Sequence, residues 1–180
     1  MVLTIKLISC SEWHCTDITM DDNYKKLPYR AGAIGIVFDK NEKVLIAQNN
    51  SYGPEEWSFP GGGRRPGESA EQNILRELSE ELGVAASNFK IIAKSKFTVQ
   101  YDYPEAMRVN KSPSALTYRG QKKDQFFVRF VGYKKNISIN RAELRKYKWV
   151  PADDLNNYLI FRDGGQYEQA AQAFNEFRKL

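Results

Sequence analysis

The stretch that most constrains this chain is "GGGRRPGESAEQNILRELSEELGV", residues 61–84. Pro66-Gly67 is turn chemistry. Ser69 followed three residues later by Gln72 reads as a capping box, in which each side chain satisfies a backbone N–H left open by a helix start. Gly83 suits the left-handed position just past a helix end. Together these signals predict a helix over Ala70–Leu82. At about 100° per residue, Ile74, Leu75, Leu78 and Leu82 share one arc, which can face a core. Glu77, Glu80 and Glu81 share the neighbouring arc and line its rim.

That rim is electrostatically costly. Glu77 and Glu81 are like charges one turn apart, and all three glutamates sit at the negative end of the helix dipole. Within the helix, Arg76 supplies the nearby positive charge. A solvated acidic face would explain a lone glutamate pair. Three carboxylates beside an apolar arc fit a bound hard cation better, because Mg²⁺ and Mn²⁺ take oxygen ligands and bridge carboxylates to substrate phosphates.

Gly62, Glu68 and the run Arg76-Glu77-Leu78-Ser79-Glu80-Glu81-Leu82-Gly83-Val84 resemble the Nudix box at every defining position, and "EEWSFPGGG" upstream resembles its usual lead-in. By this resemblance the chain is identified as a member of the Nudix hydrolases, which cleave nucleoside diphosphates linked to another moiety. The resemblance implies an α/β fold, an α/β/α sandwich with a mixed β-sheet between helices.

Composition sets wider bounds. The chain has 180 residues, enough for one domain with a hydrophobic core, and 42% of them are hydrophobic. No apolar run is long enough to span a membrane, and the N-terminus lacks a signal-peptide pattern, so the expectation is a cytoplasmic enzyme. Cys10 and Cys15 flank His14, the single histidine. Zinc usually needs four ligands, so these residues read as structural thiols and a structural or exposed imidazole, with a Cys10–Cys15 disulfide as the alternative. The net charge of +5 and pI near 9.1 suit an anionic substrate such as a nucleotide polyphosphate or an RNA 5′ end. Arg64 and Arg65 follow the glycine run. Arg108, Lys111, Arg119, Lys122 and Lys123 lie in or beside one long loop.

No internal repeat or low-complexity tract appears. "VLTIKLI" has strand character and could pair within the domain or across a homodimer. Residues 15–28 read as irregular. "AGAIGIVFD" and "KVLIAQN" read as paired strands across the 39–42 turn, "FKIIAKSKFTVQYDY" as a long strand, and residues 104–121 as a loop. "DQFFVRFVGY" is a further strand. "KYKWVPADDL" ends a strand and opens a helix at Pro151 or Asp153, and "GGQYEQAAQAFNEFRKL" is an amphipathic helix. Residues 1–28 form an N-terminal extension packed on a domain spanning 29–180.

The family pattern, carried over position by position, implies a site. Glu77, Glu80 and Glu81 would bind Mg²⁺ or Mn²⁺ together with the carbonyl of Gly61, and Glu68 with Arg76 would form a structural ion pair. "INRAELRKYKWV" resembles the segment of RNA pyrophosphohydrolases and asymmetric dinucleoside tetraphosphatases that carries a late glutamate; Glu143 stands there as ligand or base. Glu80, Glu77 and Glu143 are thus the catalytic candidates. "PYRAGAIGIVF" aligns Arg30 with a phosphate-contacting arginine, and Arg64 and Arg65 are further candidates for substrate contact. Tyr118 and the Phe161-Arg162 pair resemble elements that flank or stack a nucleobase.

The chain departs from that branch at Gly61, where members usually carry Gln, and residues 102–117 match no pattern. The implied substrates are dinucleoside polyphosphates and 5′-triphosphorylated RNA, then nucleoside triphosphates, with nucleotide sugars and ADP-ribose behind. A non-catalytic nucleotide- or RNA-binding regulator of the same fold is the alternative, although regulators typically lose box carboxylates and this chain keeps them. An isoprenyl diphosphate isomerase would need a core cysteine, and both cysteines lie near the N-terminus.

Overall fold

The computed structural model describes residues 22–110 and 113–159, together with Gln172, Asn175 and Glu176. "VLTIKLI", Cys10, His14, Cys15, Phe161 and Arg162 lie outside the described residues.

Helix α2 (Ala70–Leu82) organises the sheet. Ser69 Oγ accepts from the Gln72 N–H, and the Gln72 side chain accepts from the Ser69 N–H. Gly83 closes the helix at φ 63°, its N–H donating to the Ser79 carbonyl. Ile74, Leu78 and Leu82 are fully buried and Leu75 is half-buried. They pack onto strands β1 (Tyr29–Phe38), β2 (Lys43–Asn49) and β5 (Gly120–Phe130) through Ala33, Val37, Leu45, Phe126 and Val128. The approach is closest at Gly35, where an added Cβ would lie 3.3 Å from Ile74 and Leu78 methyls.

The opposite face carries a second apolar layer. Alternation along the same strands turns Ile34, Ile36, Ile46 and Phe127 toward Trp57, Phe59, Leu155 and Leu159. On this face Ser95 of β4 (Phe89–Asp102) donates to the carboxylate of helical Glu176. A sheet lined on both faces is the layered architecture expected. The strand order is β4-β5-β1-β2-β6, with β6 spanning Leu144–Pro151. β1 and β5 run parallel while the other pairs are antiparallel, so the sheet is mixed.

Several local expectations change. β1 and β2 pair across the 39–42 turn as the sequence implies, but their register is confined to Phe38↔Val44. The turn between them is held by Asp39, whose carboxylate accepts the N–H groups of Asn41 and Lys43 and the Lys134 ammonium. Beyond the turn the strands diverge. The "WSFPGGG" segment fills the gap, pairing Ser58 with Ala47 on one side and strand β3 (Gly61–Gly63) with Gly32–Ile34 on the other.

Residues 104–121 are not one loop. They form two short helices, α3 (Glu105–Val109) and α4 (Pro113–Thr117), and the first residues of β5, which starts at Gly120 rather than Asp124. The segment after Pro151 is a 3₁₀ helix, Ala152–Asn157. Helix α1 (Asp22–Lys26) replaces the irregular structure expected at the end of 15–28. Its Tyr24 ring lies 4.5 Å from the Arg108 guanidinium of α3, and its hydroxyl donates to the Arg119 carbonyl.

Leu78→Ala should destabilise the protein by about 2–5 kcal/mol, the usual range for truncating a fully buried leucine. Leu75→Ala should cost roughly 1 kcal/mol, since that side chain is only half-buried. Urea denaturation of both variants would check this; equal losses would contradict the packing arc described.

Candidate active site

β3 is built from glycine because side chains of other elements lie against its backbone. Gly61 has φ 138°, and a Cβ there would come 2.3 Å from the Ala33 carbonyl oxygen. A Cβ on Gly62 would meet the Glu77 carboxylate at 2.6 Å, and one on Gly63 the Arg30 guanidinium at 2.3 Å. The strand is thus thin enough for a carboxylate of α2 and a guanidinium of β1 to rest directly on it.

Arg76 gathers the acidic rim. Its Nε and Nη2 donate to the two Glu68 oxygens at 2.7 and 2.9 Å. Its Nη1 donates to Glu77 and to Glu80, both at 2.9 Å, and Nη2 also reaches the Gly63 carbonyl at 3.1 Å. The Arg76 hydrogen bonds, joined by the Arg65 N–H, hold the Glu68 carboxyl down at about 2. Arg65 Nη2 lies 2.9 Å from Glu80 on the exposed side of the rim, and Arg64 pairs with Asp124 at 3.2 Å.

Glu81 has the opposite environment. It is 5% exposed, and its Oε2 accepts the Gly61 N–H at 2.9 Å. Burial pushes its carboxyl up to about 8, reinforced by Glu77 and Glu143, while the Gly61 hydrogen bond and Lys123 oppose the shift. Glu143 reaches this end through a loop that caps α2. The N–H groups of Ser138 and Asn140 donate to the Leu82 and Glu81 carbonyls, which a helix end leaves without partners. Glu143 itself is exposed, with Oε1 accepting from Asn140 Nδ2 at 2.9 Å.

These donors suit a hard divalent cation. They are oxygens only, and a buried carboxylate beside two others is a place where a dication offsets repulsion. Among the described residues no three carboxylates converge in ligand-ready geometry. Glu77 and Glu80 are instead turned onto arginines. The Arg65–Glu80 contact is exposed, and such pairs are worth about 0–1 kcal/mol, so a dication can displace it at little cost.

Past Glu81 the gap between β1 and β2 opens into a chamber of about 450 Å³. Its lining includes Gly61, Glu81 and Lys123, the aromatic residues Phe59, Tyr52 and Tyr101, and Pro104, Ala106 and Met107 beside and within α3. Burial pushes the Tyr101 hydroxyl above its ordinary range and the half-buried Lys123 ammonium below its own. Lys123, Tyr52, Tyr101 and Met107 were not singled out from sequence as site residues. Tyr118, half-buried at the end of α4, is not among the residues lining the chamber. Arg30 lies over Gly63 and acts electrostatically on both Lys123 and Tyr101.

A NUDIX domain model matches residues 28–172. The chain belongs to this family. It is 31% identical over 151 residues to an RNA pyrophosphohydrolase of Zymomonas mobilis subsp. mobilis, covering 83% of this chain and 96% of that protein. It is 33% identical over 142 residues to an RNA pyrophosphohydrolase of Erythrobacter litoralis, covering 77% and 85%. Among solved structures, E. coli dihydroneopterin triphosphate pyrophosphohydrolase superposes with a TM-score of 0.62 at 20% identity, over 82% of this chain and 99% of that one. A C. elegans Ap4A hydrolase binary complex gives 0.55 at 20% identity, over 81% and 98%. These two likenesses show the Nudix fold. The chain is a Nudix hydrolase acting on a phosphoanhydride bond, in a family that generally uses divalent metals. No helix among the described residues is long and apolar enough to cross a membrane.

Arg76→Gln should cost about 2 kcal/mol at pH 7, the scale of losing hydrogen bonds to charged groups. Because Arg76 lowers the Glu68 carboxyl to about 2, that stabilisation is complete above the ordinary carboxylate range and fades as pH falls from about 4.5 toward 2. Denaturation of both proteins between pH 7 and pH 2.5 should therefore show the gap closing on acidification. A gap that widened would overturn the assignment.

Proposed function

We propose that this Nudix hydrolase uses Mg²⁺ or Mn²⁺ to cleave the polyphosphate of 5′-triphosphorylated RNA or of a dinucleoside polyphosphate. The observation that carries this reading is the junction at Glu81 and Gly61, where a carboxylate cluster meets an aromatic-walled chamber of about 450 Å³. Such a chamber lies within the usual size of a small-ligand pocket. The RNA pyrophosphohydrolase relatives support the RNA member of the pair, and the Ap4A hydrolase likeness in fold is consistent with the other.

In this reading Glu77, Glu80, Glu81, Glu143 and the Gly61 carbonyl hold the ions. When bound, these ions polarise phosphoryl oxygen and lower the pKa of water. The remaining work belongs to the chain. Arg76 ties Glu77 and Glu80 to one guanidinium nitrogen, so both carboxylates are held beside α2 until an ion draws them off. Glu143 is the proposed acceptor of the proton from the attacking water, supported by its exposure and by its influence on Glu81. Arg30 and Arg65 neutralise the substrate's phosphates, Arg65 by exchanging Glu80 for phosphate. Arg64 is held by Asp124 and contributes at longer range. Residues 1–28 remain an extension in this reading, with Phe161, Arg162 and Tyr118 as secondary candidates for base contact.

Purified protein would be assayed with Mg²⁺ or Mn²⁺ against 5′-triphosphorylated RNA, diadenosine tetraphosphate, nucleoside triphosphates, ADP-ribose and nucleotide sugars. Turnover is expected on the first two and should disappear on chelation. Glu80→Gln should lower kcat by about 10²-fold or more, with little change in stability because Glu80 is exposed. Tight nucleotide binding with no turnover anywhere would replace this reading with that of a regulator.

A further inference from the structure

Lys123 carries a feature that the carboxylate chemistry does not use. Strand alternation on β5 sends Lys122, Asp124 and Phe126 one way and Lys123, Gln125 and Phe127 the other. Phe126 packs under α2 and Phe127 belongs to the opposite layer, which fixes Lys123 on the chamber side. Its register partner on β1 is Gly32. A Cβ at Gly32 would lie 3.2 Å from Lys123 Cγ, so the lysine stem crosses β1 where that strand has no side chain. Lys123 lines the chamber together with Gly61 and Glu81. Glu81 and Glu77 attract it, yet among the described residues no ion pair closes on it.

We propose that Lys123 holds the phosphate of a nucleoside 5′-monophosphate subsite, with the nucleoside lying in the chamber between Phe59, Tyr52 and Tyr101. This rests on the reading of the protein as a nucleotide pyrophosphohydrolase and adds the group that retains one product. A nucleoside 5′-monophosphate needs a π-surface for its base and a cation about one sugar away. The chamber supplies aromatic side chains, and among the described residues its lining has one cation, Lys123. A phosphate would also give the ammonium the ion-pair partner that it lacks among the described residues, and it would offset the desolvation that now disfavours its charge. The apolar residues Ala106 and Met107 of α3 close on the same chamber, so the insert supplies part of the nucleoside's contact surface.

Isothermal titration would measure adenosine and guanosine 5′-monophosphates, the matching nucleosides and inorganic phosphate, in EDTA and again in Mg²⁺. Wild-type protein should bind a monophosphate at least 10-fold more tightly than its nucleoside. Lys123→Met should erase that difference and leave nucleoside affinity unchanged, Lys123→Arg should restore most of it, and Tyr101→Ala should weaken nucleoside and monophosphate alike. Circular dichroism would confirm that each variant is folded.

The proposal is overturned if Lys123→Met binds monophosphate as wild type does in both buffers, or if wild type fails to distinguish the two ligands. Hydrolysis of the substrate panel by wild-type protein is scored separately. Lys123-dependent binding without turnover would keep the subsite and remove the hydrolase reading. Turnover with Lys123-independent binding would remove the subsite alone.

Discussion

The hydrogen bond from the Gly61 N–H to Glu81 is the contact on which the rest of the site depends. It exists because β1 and β2 separate after a single shared position and a strand of three glycines lies in the gap. Without that separation α2 would cover an unbroken sheet, and Glu81 would be a carboxylate pressed against apolar strands. With it, the helix end reaches the opening between the strands and touches the chamber on the far face. The φ of 138° at Gly61 turns its amide toward the helix, a conformation an L-residue would resist.

The acidic rim of α2 is tolerable because two unequal effects meet there. Dipole and like-charge penalties are each a few tenths to about 1 kcal/mol. Burying Ile74, Leu78 and Leu82 contributes about 1.5–3 kcal/mol per side chain, so packing dominates and the helix forms regardless of its charges. Arg76 then separates two of these carboxylates. Glu68, which it grips with two hydrogen bonds, is held charged, whereas Glu81, which it does not touch, is buried and pushed up. The site thus carries one settled carboxylate and one with strong demand for positive charge.

How much of this could be read from the chain depended on whether the cause was local. The capping box, Gly83 and the leucine arc are statements about neighbouring residues, and α2 follows from them to the residue. The pairing of β1 with β5 and with the glycine strand joins segments far apart, and nothing in "AGAIGIVFD" alone names those partners. Lys123 was hidden by a boundary: with β5 starting at Asp124 it is one more loop lysine, whereas a start at Gly120 puts it into a strand with a defined face. Tyr118 drew notice through its motif, but the aromatic groups lining the chamber are Tyr52, Phe59 and Tyr101. Tyr101 lay in a segment that read as an ordinary long strand. Residues 102–117, which matched no pattern, contain the α3 side of that chamber.

The net charge of +5 is a poor guide to how such a site meets an anion. At physiological ionic strength the screening length is about 8 Å, so lysines on distant surfaces contribute little to capture. What matters is the order of charges inside that distance. Arg30 lies on Gly63 beside Glu77 on Gly62, Arg65 sits on Glu80, and Lys123 faces the chamber next to Glu81. Glu77 and Glu80 thus have arginines as near neighbours, and Lys123 acts on Glu81 without an ion pair closing among the described residues, so part of the cluster's charge is offset before any ion enters. In the proposed reading, a dication added to it would create local positive excess beside the polyphosphate, and the basic side chains would be released from carboxylate to phosphate. A more acidic cluster without these cations would bind metal more tightly but leave no surplus for the substrate. A rim in which exposed Arg65 sits on Glu80 is therefore better suited to phosphoanhydride chemistry than either charge alone.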